Sequence, residues 1–226
     1  MFKKIALVGV LVLVASAPVC YGFGLPSIPG MGSAGAGGGG GADVDGFLAQ
    51  GAASTKLISS AKLNLAIALS SKEEGDKLAA TRDQVKTGLA AKDSKATDLA
   101  KQLDQQTDAA LQASEADSAA QERLKSLSSA QKENAAKSLF NLGLGVYMQK
   151  AQIVTGQNII KSGAGNMSIA PKLPAVKDAV SDMASNIKTG GEYMAKLPSL
   201  FKSAGIVPVL PTDASSQPKD ASDQIN

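Results

Sequence analysis

Residues 89–142 read LAAKDSKATDLAKQLDQQTDAALQASEADSAAQERLKSLSSAQKENAAKSLFNL, and this stretch contains neither glycine nor proline. It is rich in alanine, lysine, glutamine and aspartate. Such a composition favours an α-helix, because alanine and the straight-chain residues lose little side-chain entropy there. At ~1.5 Å per residue, a continuous helix over Leu89 to Leu142 would be roughly 80 Å long. We therefore predict an all-α fold organised around one long helix.

A heptad pattern begins ahead of this stretch and continues through it. Alternating steps of four and three residues give a seam whose apolar members are Leu78, Val85, Leu89, Ala96, Leu99, Leu103, Ala110, Ala113, Ala120, Leu124 and Leu127. The alanine layers bury few methylene groups, and polar seam residues such as Gln106 and Gln131 weaken the seam further. The pattern favours packing against other helices of the same chain. A coiled coil between chains and a solvated single helix are the alternatives.

Local signals place the helix starts before and after residue 70. Asp43 or Asp45 can cap a first helix, and Ser71-Lys-Glu-Glu74 has the pattern of a capping box. A helix–helix turn is therefore expected near residues 70–76. Lys92-Asp93-Ser94 is a candidate interruption, because aspartate and serine compete for backbone hydrogen bonds. These signals predict an elongated antiparallel bundle of about four helices over residues 43–203, with a coiled-coil-like long helix.

Residues 139–160 are nearly free of charge, and Lys150 is the only charged residue among them. Two apolar stripes can be drawn at helical spacing: Phe140, Leu144, Tyr147, Ala151 and Val154, and Leu139, Leu142, Val146, Ile153 and Ile160. A helix that is apolar on more than one face is typical of a central, buried helix. The alternative is a membrane-active segment, against which the glutamine and asparagine side chains in this span argue.

The remaining helices are placed by glycine and proline. Gly163 should end the preceding helix, and Pro171 and Pro174 suit the first turn of the next. Lys188 and Gly190 have the pattern of a helix stop, and Pro198 is expected to break a short helix that follows. The chain after residue 203 is rich in proline, serine and aspartate. We therefore predict a disordered tail at residues 204–226.

The N-terminus indicates export. Lys3 and Lys4 precede an uncharged apolar run that is short for a transmembrane helix, which is the pattern of a signal peptide over residues 1–22. The small residues favour cleavage near Gly22, and the alternative is lipidation of Cys20 as an envelope lipoprotein. A Pro/Gly-rich flexible linker is predicted over residues 23–42. The expected location is the periplasm of a bacterial envelope or the extracellular medium.

The composition argues against catalysis and nucleic-acid binding. The chain has no histidine, its formal charge is +3, and aromatic residues make up 4%. Paired carboxylates at Glu73 and Glu74, or Glu115 and Asp117, read as solvated helix faces. No catalytic, cofactor-binding or metal-binding residue is predicted, and no cofactor. The predicted function is structural or protein-binding, through self-association or a protein partner at the helix faces. The alternative is a pore-former-like protein that inserts residues 139–160 into lipid.

Overall fold

The computed structural model describes residues 43–115, 118–163 and 165–221. All regular secondary structure in these residues is helical, which confirms the predicted all-α class. The described residues contain six α-helices and a short 3₁₀ turn at Ala170–Lys172. The helices are α1 (Val44–Leu69), α2 (Lys72–Ala90), α3 (Ser94–Glu115), α4 (Ser118–Ser126), α5 (Ser129–Gly163) and α6 (Leu173–Ser203). The predicted signal peptide, Cys20 and the linker at residues 23–42 lie outside the described residues.

The first two helices begin where the capping signals predicted. Asp43 Oδ1 accepts a hydrogen bond of 2.8 Å from the Gly46 amide at the start of α1. Ser71 Oγ accepts one of 3.3 Å from the Glu74 amide at the start of α2. Each cap supplies a partner for an amide that the first helical turn leaves unpaired.

The prediction of one long helix over Leu89 to Leu142 is wrong, because the chain turns at residues 91–93. Lys92 adopts a φ of 56°, in the left-handed region. The Asp93 amide bonds the Gly88 carbonyl at 2.8 Å, and the Lys92 amide bonds the Leu89 carbonyl at 3.1 Å, which together form a Schellman helix end. Asp93 then accepts from the Lys95 amide at 2.9 Å and starts α3. The turn lets α3 contact both α1 and α2, so that a thin alanine-rich seam gains apolar neighbours within the chain.

A second interruption separates α4 from α5. The Gln131 amide donates to Ser128 Oγ at 3.3 Å, and the Ser128 amide donates to Gln131 Oε1 at 3.0 Å. This reciprocal pair is a capping box of the Ser-x-x-Gln type, and it begins α5. Six helices replace the expected four partly for this reason.

The predicted stop at Gly190 and break at Pro198 are also wrong, because α6 continues through both to Ser203. Gly190 is buried, and a methyl group added there would lie 2.7 Å from a methyl carbon of Val146 on α5. Beyond it, Tyr193, Leu197 and Phe201 are buried at helical spacing. Packing against α5 therefore outweighs the weak helix propensity of these positions.

Two separate groups of buried apolar residues hold the helices together. The major core draws on all six helices and includes Leu65, Val85, Leu103, Leu124, Leu142 and Phe201. The minor core consists of Val44, Phe47, Ile159, Ile169, Val176 and Met183, from α1, α5, α6 and the segment before α6. Lys172 Nζ also bonds Asp45 Oδ2 at 2.6 Å beside the minor core. The start of α1 is thus tied to the start of α6.

The tail differs from the predicted disorder. Residues 204–221 carry no helix, but they follow a defined path along α5. The Ile206 amide bonds the Phe201 carbonyl at 3.0 Å in a second Schellman end, with Gly205 at a φ of 78°. Ile206 is buried in the major core, and Pro211 is buried further along. Specific contacts with α5 offset the ordering entropy that a proline- and serine-rich composition would otherwise not overcome.

Candidate interaction surfaces

The carboxylate pairs singled out from the sequence do not converge on a site. Glu73 pairs with Lys77 at 2.7 Å on the exposed face of α2, and this lysine lowers the pKa of the Glu73 carboxyl. Glu74 lies in the first turn of α2. The Glu115 side chain and Asp117 lie outside the described residues. In the described ranges, no group of three or more histidine, cysteine, aspartate or glutamate residues is placed to hold a metal ion.

The first apolar stripe of α5 is buried at its N-terminal end and exposed to solvent over the rest of its length. Phe140 and Leu144 are buried, whereas Tyr147 and Val154 remain 40% and 59% exposed, and Ala151 between them is exposed as well. Lys150 lies 5.7 Å from the centroid of the Tyr147 ring. The second stripe turns Leu139, Leu142 and Val146 into the major core. We call Tyr147, Ala151 and Val154 the open stripe.

The covered half of the stripe forms a small apolar groove with α1. Leu57 of α1 and Phe140, Leu144 and Met148 of α5 make a cluster that is separate from both cores. We call these four residues, together with Asn141 and Gly143 of α5, which contact the tail at Lys219 and Pro211, the strap groove. Ala214 packs against it from the tail. The outer wall of the groove is therefore the C-terminal segment itself.

Polar contacts fix that segment, residues 211–221, which we call the C-terminal strap. Asn141 Nδ2 donates to the Lys219 carbonyl at 2.7 Å, and the Lys219 amide donates to Asn141 Oδ1 at 2.8 Å. Lys219 Nζ lies 4.3 Å from the centroid of the Phe140 ring, close enough for a cation–π interaction. Asn141 thus binds the main chain of the strap in both directions.

The strap also carries a local turn. Asp213 Oδ1 accepts from the Ser215 amide at 2.8 Å and from the Ser215 hydroxyl at 2.6 Å. These hydrogen bonds lower the pKa of the Asp213 carboxyl below its ordinary value. Such an aspartate turn reduces the number of conformations that the strap must lose on docking.

A charged network lies in the major core between α1, α3 and α6. Lys62 is 2% exposed, and its Nζ lies 2.7 Å from Asp108 Oδ1 and 3.3 Å from Asp104 Oδ1. The Tyr193 hydroxyl lies 3.1 Å from the same Asp108 oxygen. A buried ammonium requires such partners, and breaking them is costly. The network joins three helices through direct contacts between its side chains.

Polar side chains also lie between α1 and α5. Ser54 Oγ donates to Gln152 Oε1 at 3.1 Å, and Gln149 Nε2 donates to Thr55 Oγ1 at 3.0 Å. Gln149 Oε1 is buried and has no hydrogen-bond partner among the residues that the structure describes. Bonds of this kind fix the register of two helices, since a shift along the axis would leave both pairs unmade.

A mixed polar cavity of about 230 Å³ lies where α1 ends and α2 begins. Its lining includes Ile67, Ser70, Gly75, Arg123 and Gln131. Arg123 Nη1 donates to the Leu69 carbonyl at 2.8 Å, and Gln131 belongs to the capping box of α5. The polar groups here complete helix ends, so the cavity is explained without a ligand.

Sequence reasoning missed the strap and the Lys62 network. A signal for the network exists, because Lys62 stands inside the apolar run Ala61–Leu69, and Asp104 and Asp108 have the spacing of one helix face. In the described part of the chain, no helix combines the length and apolar character needed to cross a lipid bilayer. The chain matches no protein-family model, no curated protein and no solved structure.

Proposed function

We propose that this chain is an exported, non-enzymatic protein that acts structurally or by binding a protein partner through its helix faces. The open stripe of α5 carries the proposal. Tyr147, Ala151 and Val154 continue the same line of residues that the strap covers at Phe140 and Leu144. A tyrosine with a half-exposed ring beside a valine offers contact area at low entropic cost, which is typical of protein-binding surfaces.

We infer that the helices form an elongated antiparallel bundle. Two pairs of contacts support this arrangement for α1 and α5, because Phe47 lies beside Gly156 and Ile58 beside Gly145. Residue numbers therefore fall along α5 as they rise along α1, which is the order of an antiparallel pair. For α5 and α6, Gly143 lies beside Met194 and Gly163 beside Leu173 in the same reversed order. Such a scaffold holds the open stripe straight on a helix supported from two sides.

Site-specific photo-cross-linking in the native host tests the proposal. A photoreactive residue placed at Val154 should yield a protein adduct of defined mass. The matched control is Gln105, which is exposed on α3, away from α5. Val154→Asp should reduce association measured by light scattering or co-purification, whereas Gln105→Asp should leave it unchanged. The proposal is wrong if neither position gives an adduct and the purified mature protein is strictly monomeric.

Dye release from liposomes tests the membrane-active alternative with the same purified protein. The nearly charge-free composition of residues 139–160 motivates that alternative. Our proposal expects intact liposomes. Dye release by the unmodified protein, abolished by Val154→Asp, would favour lipid over protein as the partner of α5.

A further inference from the structure

The strap groove binds the strap through contacts that suit an extended segment of chain. Asn141 recognises both the amide and the carbonyl of residue 219, as one strand recognises its neighbour. Pro211 sits over Gly143, where an added methyl group would lie 3.0 Å from the proline ring. Ala214 packs against the apolar cluster, and Lys219 lies over the Phe140 ring. The hydrogen bonds to the strap backbone contribute affinity, and the small sites that receive Pro211 and Ala214 contribute selectivity for the strap sequence.

The groove requires an occupant. Asn141 is 5% exposed, and its amide bonds the strap backbone. Phe140, Leu144 and Met148 are buried although the major core does not include them. Loss of the strap would uncover the side of this cluster that Ala214 and Lys219 contact, together with a side-chain amide that has lost its partners. A replacement must therefore offer a main-chain N–H and C=O at the same place.

The connector, residues 207–210, is the part of the tail that would change path if the strap were replaced. Ile206 before it is anchored in the major core, and Pro211 after it is seated on α5. Val207 and Val209 in between are 81% and 63% exposed. Redirecting these four residues would carry the strap, including Pro211, away from its own groove while Ile206 stays anchored in the major core. Short connectors of this kind are where chains exchange identical elements.

We propose that the strap groove is a site of association between two copies of this chain, in which each copy docks residues 211–221 into the groove of the other. The site is distinct from the open stripe, so the inference does not rest on the proposed function. A second copy is the occupant because its strap reproduces every contact described above. The exchanged dimer makes the same strap contacts as two monomers, and only the connectors differ.

Mass action sets the conditions for exchange. A strap joined by a short connector meets its own groove at an effective concentration on the order of millimolar. Free copies therefore remain monomeric at micromolar concentration and exchange where copies are crowded or held side by side. Removing the competition within one chain should make the association between chains visible at ordinary concentration.

Two complementary full-length variants provide that test. Ala214→Asp with Lys219→Pro disables the strap, by placing a carboxylate against the cluster and removing the amide that bonds Asn141, while the groove stays intact. Asn141→Leu disables the groove while its strap stays intact. A 1:1 mixture should form a heterodimer at least tenfold more tightly than either variant self-associates, measured by sedimentation velocity. Far-UV circular dichroism of each variant verifies folding, and Asn141→Ala, which removes both hydrogen bonds to residue 219 without adding volume, replaces Asn141→Leu if that variant fails to fold.

The heterodimer and peptide experiments distinguish strap exchange between chains from binding within one chain. Heterodimer formation that disappears when both disabling changes are placed in one chain supports exchange. Failure of the two variants to associate up to about 1 mM, the effective concentration expected within one chain, overturns it. A synthetic peptide of residues 211–221 serves as the second probe. If the peptide binds the strap-disabled variant while the two proteins do not associate, the groove takes extended peptides but not a second copy, and the proposal is wrong.

Discussion

The major and minor cores share α1, α5 and α6 but differ in how completely they enclose these helices. Residues 61–69 of α1 are buried without exception, and their apolar side chains lie in the major core, which receives side chains from all six helices. The first half of α1 meets only α5, α6 and the segment before α6 in the minor core. One helix thus changes from a one-sided to an all-round buried element along its length.

This difference shows why the amphipathicity of a helix does not predict how completely its residues are buried in this protein. In the minor core, buried residues of α1 are spaced at Val44, Phe47 and Gly51, which is the stripe of a surface helix. In the major core, even Lys62 is buried, and Asp104 and Asp108 must neutralise it. Stability should therefore be concentrated around the second half of α1, with the minor core opening more easily.

The largest expected effect compares the same truncation in both cores. Ile58→Ala and Ile159→Ala each remove a buried isoleucine side chain, from the major and the minor core respectively. A cavity at Ile58 should cost about 4 kcal/mol, because six helices restrain its collapse, and one at Ile159 about 2 kcal/mol. Urea unfolding followed by circular dichroism measures both. An equal or larger cost at Ile159 would contradict the ranking of the two cores.

The Lys62 network gives the next largest effect. Asp108→Ala should reduce the free energy of unfolding by about 3 kcal/mol, because it leaves a buried ammonium with the more distant Asp104 alone. Asp98→Ala, on the exposed face of α3, is the control and should change little. The double variant Lys62→Met/Asp108→Leu should recover most of the loss, since no buried charge is then left unpaired and Asp104, whose side chain is 38% exposed, stays solvated. If Asp108→Ala behaves like the control, the network does not stabilise the major core.

The smallest effect compares two helical glycines. Gly145→Ala should destabilise by about 1–2 kcal/mol, because its methyl group would meet the stiff, branched Ile58 side chain at the α1–α5 contact. Gly191→Ala on α6 meets no atom within 4 Å and should stabilise by about 0.5–1 kcal/mol through helix propensity. Thermal unfolding monitored at 222 nm distinguishes the two signs. A stabilising Gly145→Ala would mean that α1 and α5 approach less closely than described.

Local sequence signals predicted the helix starts well and the helix ends poorly. Asp43 and Ser71 cap as expected, because the hydrogen bonds of a cap depend on residues within one turn. Gly190 and Pro198 have the sequence pattern of helix ends, yet α6 runs through them, because buried contacts with α5 outweigh local propensity. Lys92-Asp93-Ser94 is a candidate interruption in the sequence and a helix boundary in the structure. The Ser128–Gln131 capping box is a local signal of the same kind as those at Asp43 and Ser71.

The strap could not be predicted from residue patterns. It has no periodicity, and the residue that holds it, Asn141, acts on the backbone of Lys219 rather than on its side chain. Because this contact uses the backbone of residue 219, the amino-acid composition of the tail does not indicate it. The proline and serine content of the tail indicates disorder instead. The open stripe was the opposite case. Its helical spacing was visible in the sequence, but only the structure separates Tyr147 and Val154 from the covered Phe140 and Leu144.

The pairing of α1 with α5 has a consequence for biosynthesis. Ser54 and Gln152 bond across 98 positions of sequence, so α1, the first of the described helices, meets its main partner late. At about 5–20 residues per second, α1 would wait roughly 5–20 s for that partner to follow it from the ribosome. During that interval α1 can pack only against α2, α3 and α4, and the face that α5 covers stays exposed. The nascent chain is therefore expected to depend on chaperones during synthesis, and its folding to be limited by closure of this long loop.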